Sequence, residues 1–214
     1  MRLDPALAAL AARTKGFMPD DEAAALRGAA ATVAPGVWLE IGSYCGKSTV
    51  HLGAVAAERG SHLVTLDHHH GSEENQPGWQ WHDESLTDPR TGRLDTLPSL
   101  RRTLADAGLE DTVSVLVAST QQVGPWWTTP LTFLFLDGNH TEEVAQHDYA
   151  AFARHLLPGG LLAVHDVFPD PRDGGQAPWH VVQRALGKGA FTQVGEHGSL
   201  RLLKRTVGQA VVAG

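Results

Sequence analysis

Five short apolar runs separated by helical stretches constrain this chain more than any other feature. They are Val37–Ile41, His62–Leu66, Val113–Val117, Leu131–Leu136 and Leu161–Val164; four stop directly at glycine or a polar residue, and the third reaches Ser119 after Ala118. Runs this short and this apolar read as strands buried on both faces, and their alternation with helices predicts a parallel sheet covered on both sides. Helices are expected at about 46–58, 93–107 and 178–187. Another carries Ala145, Tyr149, Phe152 and Leu156 on one face and is expected to stop at Pro158-Gly159-Gly160. Two last strands, about 190–195 and 199–204, read as an antiparallel hairpin across His197-Gly198. The fold class is doubly wound α/β with a mostly parallel seven-stranded sheet, and 214 residues suit one domain spanning 1–214. Residues 1–35 add two Ala-rich helices, marked by Leu3, Leu7, Leu10 and then Ala23, Leu26, Ala30. They read as a helical cover and a candidate homodimer contact.

In sheets of this kind ligands bind beyond the carboxyl ends of the strands. Those ends carry Glu40 and Gly42, Asp67, Ser119, Asp137, and His165-Asp166, so the chemically capable residues converge on one rim. The partner there is expected to be a small molecule. A formal net charge of −7 with scattered Lys and Arg argues against nucleic acid. No apolar run approaches the roughly 20 residues that span a bilayer. Met1-Arg2-Leu3-Asp4-Pro5 lacks the basic start and apolar stretch of a secretory leader, so a cytoplasmic location is expected. The single cysteine, Cys45, excludes an internal disulfide framework and a multi-cysteine zinc site, and reads as a small packing residue.

Glu40-Ile41-Gly42-Ser43-Tyr44-Cys45-Gly46-Lys47-Ser48 occupies the first strand-to-helix turn. Gly42 permits a sharp turn, and Gly46 leaves space for a ligand at a helix N-terminus. The spacing is neither that of a dinucleotide loop nor that of a phosphate loop, because only three residues separate the glycines. Asp137-Gly138-Asn139-His140 and His165-Asp166 close neighbouring strands. Two carboxylates and an imidazole on one rim suit a divalent cation; the alternative is that Asp137 and Asp166 only cap the helices that follow.

These motifs together resemble the Rossmann-like class I S-adenosylmethionine-dependent methyltransferases. LFLDGNHTEEVAQHD and LPGGLLAVHD are similar to the small O-methyltransferases that include macrolide-sugar enzymes and cephalosporin-hydroxylase-like proteins, over about residues 36–168. The resemblance implies a first loop that cradles the methionine part of S-adenosylmethionine and an Asp67 that accepts its ribose hydroxyls. Glu40, Gly42, Ser43, Gly46, Ser48, Asp67, His68, Ser119 and Asp137 are the implied cofactor residues. It further implies Mg²⁺ or Mn²⁺ on Asp137, His165 and Asp166, with His140 as general base toward a hydroxyl. His165 stands where some relatives carry an acid, and an imidazole suits Mn²⁺, Fe²⁺ or Zn²⁺ better than Mg²⁺.

Residues 68–92 form a polar insert of turn residues, more often functional than idle at this length. It reads as a lid or as a self-packed loop. Trp79, Trp81 and His82 are candidates to stack on a sugar or aromatic acceptor. His68, His69 and His70 cannot all face one ion. Trp126-Trp127 is a second candidate lining, with core packing the favoured role. The function expected is metal-assisted O-methylation of a small hydroxylated metabolite, a sugar or natural product. A non-methylating S-adenosylmethionine enzyme (a cyclase or lyase) and a non-catalytic cofactor binder are the alternatives.

Overall fold

The computed structural model describes residues 2–79, 81–187 and 189–206. Two helices, α1 (Pro5–Arg13) and α2 (Asp20–Ala30), precede the alternation β1 (Val37–Ile41), α3 (Lys47–Arg59), β2 (His62–Asp67), α4 (Leu97–Ala107), β3 (Val113–Val117), α5 (Thr120–Val123), β4 (Leu131–Leu136), α6 (Glu142–Phe152) and β5 (Leu156–Val164). Helix α7 (Ala177–Gly187) and the hairpin of β6 (Phe191–His197) and β7 (Leu200–Arg205) follow. The seven strands are ordered β3-β2-β1-β4-β5-β7-β6. Strands β1 to β5 run parallel, whereas β7 is antiparallel to β5 and β6 to β7. The order reverses between β1 and β4, which opens a crevice at their carboxyl ends.

Alternation along the strands builds two cores. Leu39, Ile41, Leu134, Leu136, Leu162 and Val164 pack against α6 and α7 through Tyr149, Phe152, Val181 and Val182. Trp38, Phe133, Phe135, Leu161 and Ala163 point to the other face and meet Leu26 of α2, Leu52 and Val55 of α3, and Leu100 and Leu104 of α4. Helix α2 therefore covers one face of the sheet, whereas α1 packs outside it on α3 through Leu10, Ala11 and Val50.

Two elements depart from the sequence pattern. Helix α6 ends at Phe152, one short 3-10 turn follows at Ala153–His155, and β5 begins at Leu156 rather than Leu161. Pro158 and Gly159, expected to end a helix, instead form an irregularity inside the strand, where the pairing jumps from Leu131↔Leu156 to Phe133↔Leu161. Gly159 adopts φ +82°, and Pro158 has no N–H for the ladder. The short helix α5 was not legible. Between β2 and α4 the insert contains only 3-10 turns at Glu73–Asn75 and Glu84–Leu86 and one bridge, Thr87↔Leu94; its Gln80 lies outside the described residues. No helix among the described residues is long and apolar enough to cross a membrane.

Candidate active site

Strand register sets the rim. Ile41 lies opposite Leu66 of β2 and Leu136 of β4, and Leu136 lies opposite Val164 of β5. The next residue of each strand is Gly42, Asp67, Asp137 and His165 respectively, so these four form a row across the switch point. They border, or stand immediately behind, a cleft of about 980 Å³.

Gly42, with φ +88°, is where the first loop leaves β1. A Cβ there would lie 2.1 Å from the Asp137 carbonyl oxygen, so only glycine lets β1 and β4 end side by side. The space beside Gly46 belongs to α4, because its Cβ would meet Leu100 Cδ1 at 2.8 Å. Asp67 organises the loop: Oδ2 accepts the backbone N–H groups of Ser43 (3.0 Å) and Tyr44 (2.9 Å), and Oδ1 accepts that of His69 (2.7 Å). Glu40 is fully buried behind this loop, outside the cleft lining, and accepts the hydroxyls of Ser48 (2.6 Å) and Thr49 (2.7 Å). Burial pushes its carboxyl up to about 7 despite those bonds. Ser43, Ser48, Asp67, His68, Ser119 and Asp137 border the cleft. Ser119 also caps α5 by accepting from Gln122 N.

On the other half of the rim, His165 Nδ1 lies 2.9 Å from Asp137 Oδ1 and 3.5 Å from Asp166 Oδ2. Its Nε2 lies 2.8 Å from Oε2 of Glu22, a residue of α2. His140 Nε2 lies 3.1 Å from Asp166 Oδ2, and its Nδ1 is 3.8 Å from Glu74 of the insert. Asp166 holds φ +53°, a strained setting for a non-glycine residue. Burial works against a charged His165, but Asp137 and Asp166 override it and push the ring up to about 11. Burial also opposes ionisation of Asp166, yet the two histidines beside it hold its carboxyl well below the usual range. Ligand atoms of Asp137, His165 and Asp166 all lie within 4.8 Å of one another, the one group with such convergence among the described residues.

The insert forms a wall of the cleft. Trp79 and Trp81 line it, and Phe17, from the link between α1 and α2, meets Trp81 edge-on at 5.2 Å and Tyr44 at 5.5 Å. Lys15 pairs with Asp83 to tie the same link to the insert. The three histidines have separate roles: His68 borders the cleft and stacks on His70 at 6.1 Å, buried His69 bonds Thr96 Oγ1 (2.7 Å), and His70 bonds the Leu94 carbonyl (3.1 Å). His82 turns back onto the Asn75 carbonyl. Trp127 is buried against Phe152 while Trp126 is exposed. Cys45 is buried, and desolvation pushes its thiol up to about 11, which suits packing and not nucleophilic attack.

Glu22, Phe17 and Glu74 are the site neighbours that sequence reasoning missed. Glu22 follows Asp20 and Asp21 in the first turn of α2, where acidic residues are ordinary helix-dipole partners, so nothing in the pattern singled it out.

The fold and the rim define a Rossmann-like class I methyltransferase architecture. Residues 39–167, more than half of the chain, match the methyltransferase-domain family, and the chain belongs to that family. Solved structures share the fold at low identity. The O-methyltransferase NovP is 18% identical with a TM-score of 0.67, over 87% of this chain and 80% of its own. TomG from Streptomyces achromogenes, an O-methyltransferase of tomaymycin synthesis solved with S-adenosylmethionine, is 19% identical with a TM-score of 0.61, over 96% and 91%. The Podospora anserina methyltransferase PaMTH1, bound to S-adenosylhomocysteine, is 15% identical with a TM-score of 0.66, over 95% and 89%.

Proposed function

We propose that this methyltransferase transfers the methyl group of S-adenosylmethionine to a hydroxyl of a small metabolite, a sugar or natural product. The observation that carries the reading is that one cleft is bordered on one side by the Gly42–Tyr44 loop with Asp67 and on the other by His140 against Asp166. NovP and TomG, which share the fold, are O-methyltransferases, and TomG was solved with S-adenosylmethionine.

His140 is the base. Asp166 beside Nε2 fixes the ring, and Nδ1, 3.8 Å from Glu74, has room to take a proton. As the acceptor oxygen bonds to the methyl carbon, the carbon–sulfur bond breaks, S-adenosylhomocysteine leaves, and the hydroxyl proton rests on Nδ1. Asp67 holds the loop that receives the cofactor and borders the cleft itself.

The rim also suits a divalent cation. Asp137 and Asp166 stand beside the His165 imidazole with Glu22 behind it, and one ligand atom from each of Asp137, His165 and Asp166 converges with the other two. Asp137, His165 and Asp166 would hold the ion, with Mn²⁺ a better match than Mg²⁺ to a set containing imidazole. A bound cation lowers the pKa of an acceptor hydroxyl.

The acceptor has a flat, weakly charged face. Phe17, Tyr44, Trp79 and Trp81 offer aromatic surface. Lys47 is the only Lys or Arg among the described lining residues, against Glu74, Asp166 and Asp173 toward the base, which disfavours a phosphorylated acceptor. The test is incubation with methyl-labelled S-adenosylmethionine and a panel of phenols, glycosides and aminosugars, read by mass spectrometry. Label on an acceptor oxygen, with S-adenosylhomocysteine formed, is expected. Methylthioadenosine as the product would instead indicate non-methylating chemistry and overturn the reading.

A further inference from the structure

Helix α2 enters the site from outside the strand–helix alternation, through Glu22. Its side chain is only 6% exposed and has three partners. Oε1 accepts from Ser199 N (2.8 Å) and Oε2 from Ser199 Oγ (3.1 Å), while Oε2 also lies at ion-pair distance, 2.8 Å, from His165 Nε2, a buried nitrogen with no aligned hydrogen-bond partner. The β6–β7 turn makes room for it: Gly198 sits at φ +53°, and a Cβ there would lie 2.2 Å from Glu22 Oε1. A cover helix needs no buried carboxylate to pack, since Ala23, Leu26 and Ala30 already fill its inner face. Its hydrogen bonds go to Ser199, and the remaining polar group within reach is the unsatisfied Nε2 of His165.

The two nitrogens of that ring face opposite ways. Nε2 looks outward to Glu22, while Nδ1 looks toward Asp137 Oδ1 and Asp166 Oδ2. We propose that Glu22 is a positioning residue: it holds the proton on Nε2 and so directs the Nδ1 lone pair of His165 at the cation position shared with Asp137 and Asp166. A carboxylate on the far nitrogen fixes the tautomer and ring orientation of a metal-binding histidine and raises its basicity. The inference rests on the cation reading above. It makes the amino-terminal segment, 143 residues before His165 by number (165 − 22), part of the functional centre.

The test is Mn²⁺ titration of the full chain, followed by the loss of the free-ion electron paramagnetic resonance signal, beside calorimetric titration of S-adenosylmethionine. Glu22→Gln keeps the size, but its single oxygen can serve Ser199 N or His165 Nε2, not both. Glu22→Asp keeps the charge and withdraws it from the ring. Both should weaken Mn²⁺ binding about 10- to 100-fold, with S-adenosylmethionine affinity unchanged, and Ser199→Ala should leave both affinities near wild type. If Glu22→Gln fails to fold, Glu22→Asp carries the comparison. Wild-type Mn²⁺ affinity in the Glu22 variants, or an equal loss of both ligands, overturns the positioning role and leaves the cation reading standing. Wild-type protein that binds Mn²⁺ no better than Asp137→Ala overturns both.

Discussion

His140 Nε2 and Asp166 Oδ2 lie 3.1 Å apart, which joins the loop after β4 to the end of β5 at the mouth of the cleft. Of the twelve histidines, His140 alone combines a cleft-lining position with a carboxylate at this distance. Replacing it by Ala should lower kcat by about 10²- to 10⁴-fold, the usual worth of a positioned base. S-adenosylmethionine affinity should stay near wild type. Steady-state rates at saturating acceptor check this, and near-normal turnover would make His140 structural.

Glu40 couples stability to pH. Its carboxyl is pushed up to about 7 from an ordinary 4.5, so the folded protein holds a proton that the unfolded chain releases. A raised acid stabilises fully below the unfolded value, and that contribution is lost as pH rises from about 4.5 through about 7. The difference corresponds to about 3 kcal/mol. Glu40→Gln should flatten this part of the stability–pH curve measured by urea unfolding between pH 4 and 8. Asp148, also pushed up to about 7 by burial, supplies a decline of the same sign that remains in the variant.

The centre of the sheet was legible because β1, β4 and the last part of β5 are short buried apolar runs that stop at glycine or a polar residue, whereas the edge strands β3 and β6 are largely exposed. The same rule placed Asp67, Asp137 and His165 in one row before any register was known. The start of β5 was hidden because Pro158 and Gly159 signal a break, and only pairing with β4 keeps the strand going. Gly46 shows how one residue type carries two signals: a glycine at a helix start suits a ligand, yet here Leu100 fills its space. Glu22 was illegible because its meaning depends on Ser199 and His165, contacts that no local period encodes.

The aromatic wall predicts a selective effect on the acceptor. Trp81 packs edge-on against Phe17 and lines the cleft without touching Asp67 or His140 through any hydrogen bond described for them. Trp81→Ala should raise the acceptor KM about 3- to 10-fold, the worth of about 0.5–1.5 kcal/mol of ring contact. The KM for S-adenosylmethionine should not move. Equal shifts in both would mean that the insert orders the whole cleft.

Metal removal gives a separate check. Dialysis against a chelator should lower turnover, and Mn²⁺ should restore it more fully than Mg²⁺ because the ligand set includes the His165 imidazole. Full activity in protein shown by elemental analysis to be metal-free would leave the proton on His165, not a metal ion, as the cation of the rim.

One half of the rim is assigned to S-adenosylmethionine and the other half to proton transfer. Calorimetric titration of S-adenosylmethionine into wild type, Asp67→Ala and His140→Ala tests this assignment most directly. Saturable binding to wild type is expected, with a loss of about 1–3 kcal/mol in Asp67→Ala, where a charged acceptor and the anchor of the Ser43–Tyr44 loop are removed together. His140→Ala should keep near-wild-type affinity. No binding to wild type, or an equal loss in both variants, would contradict the assignment.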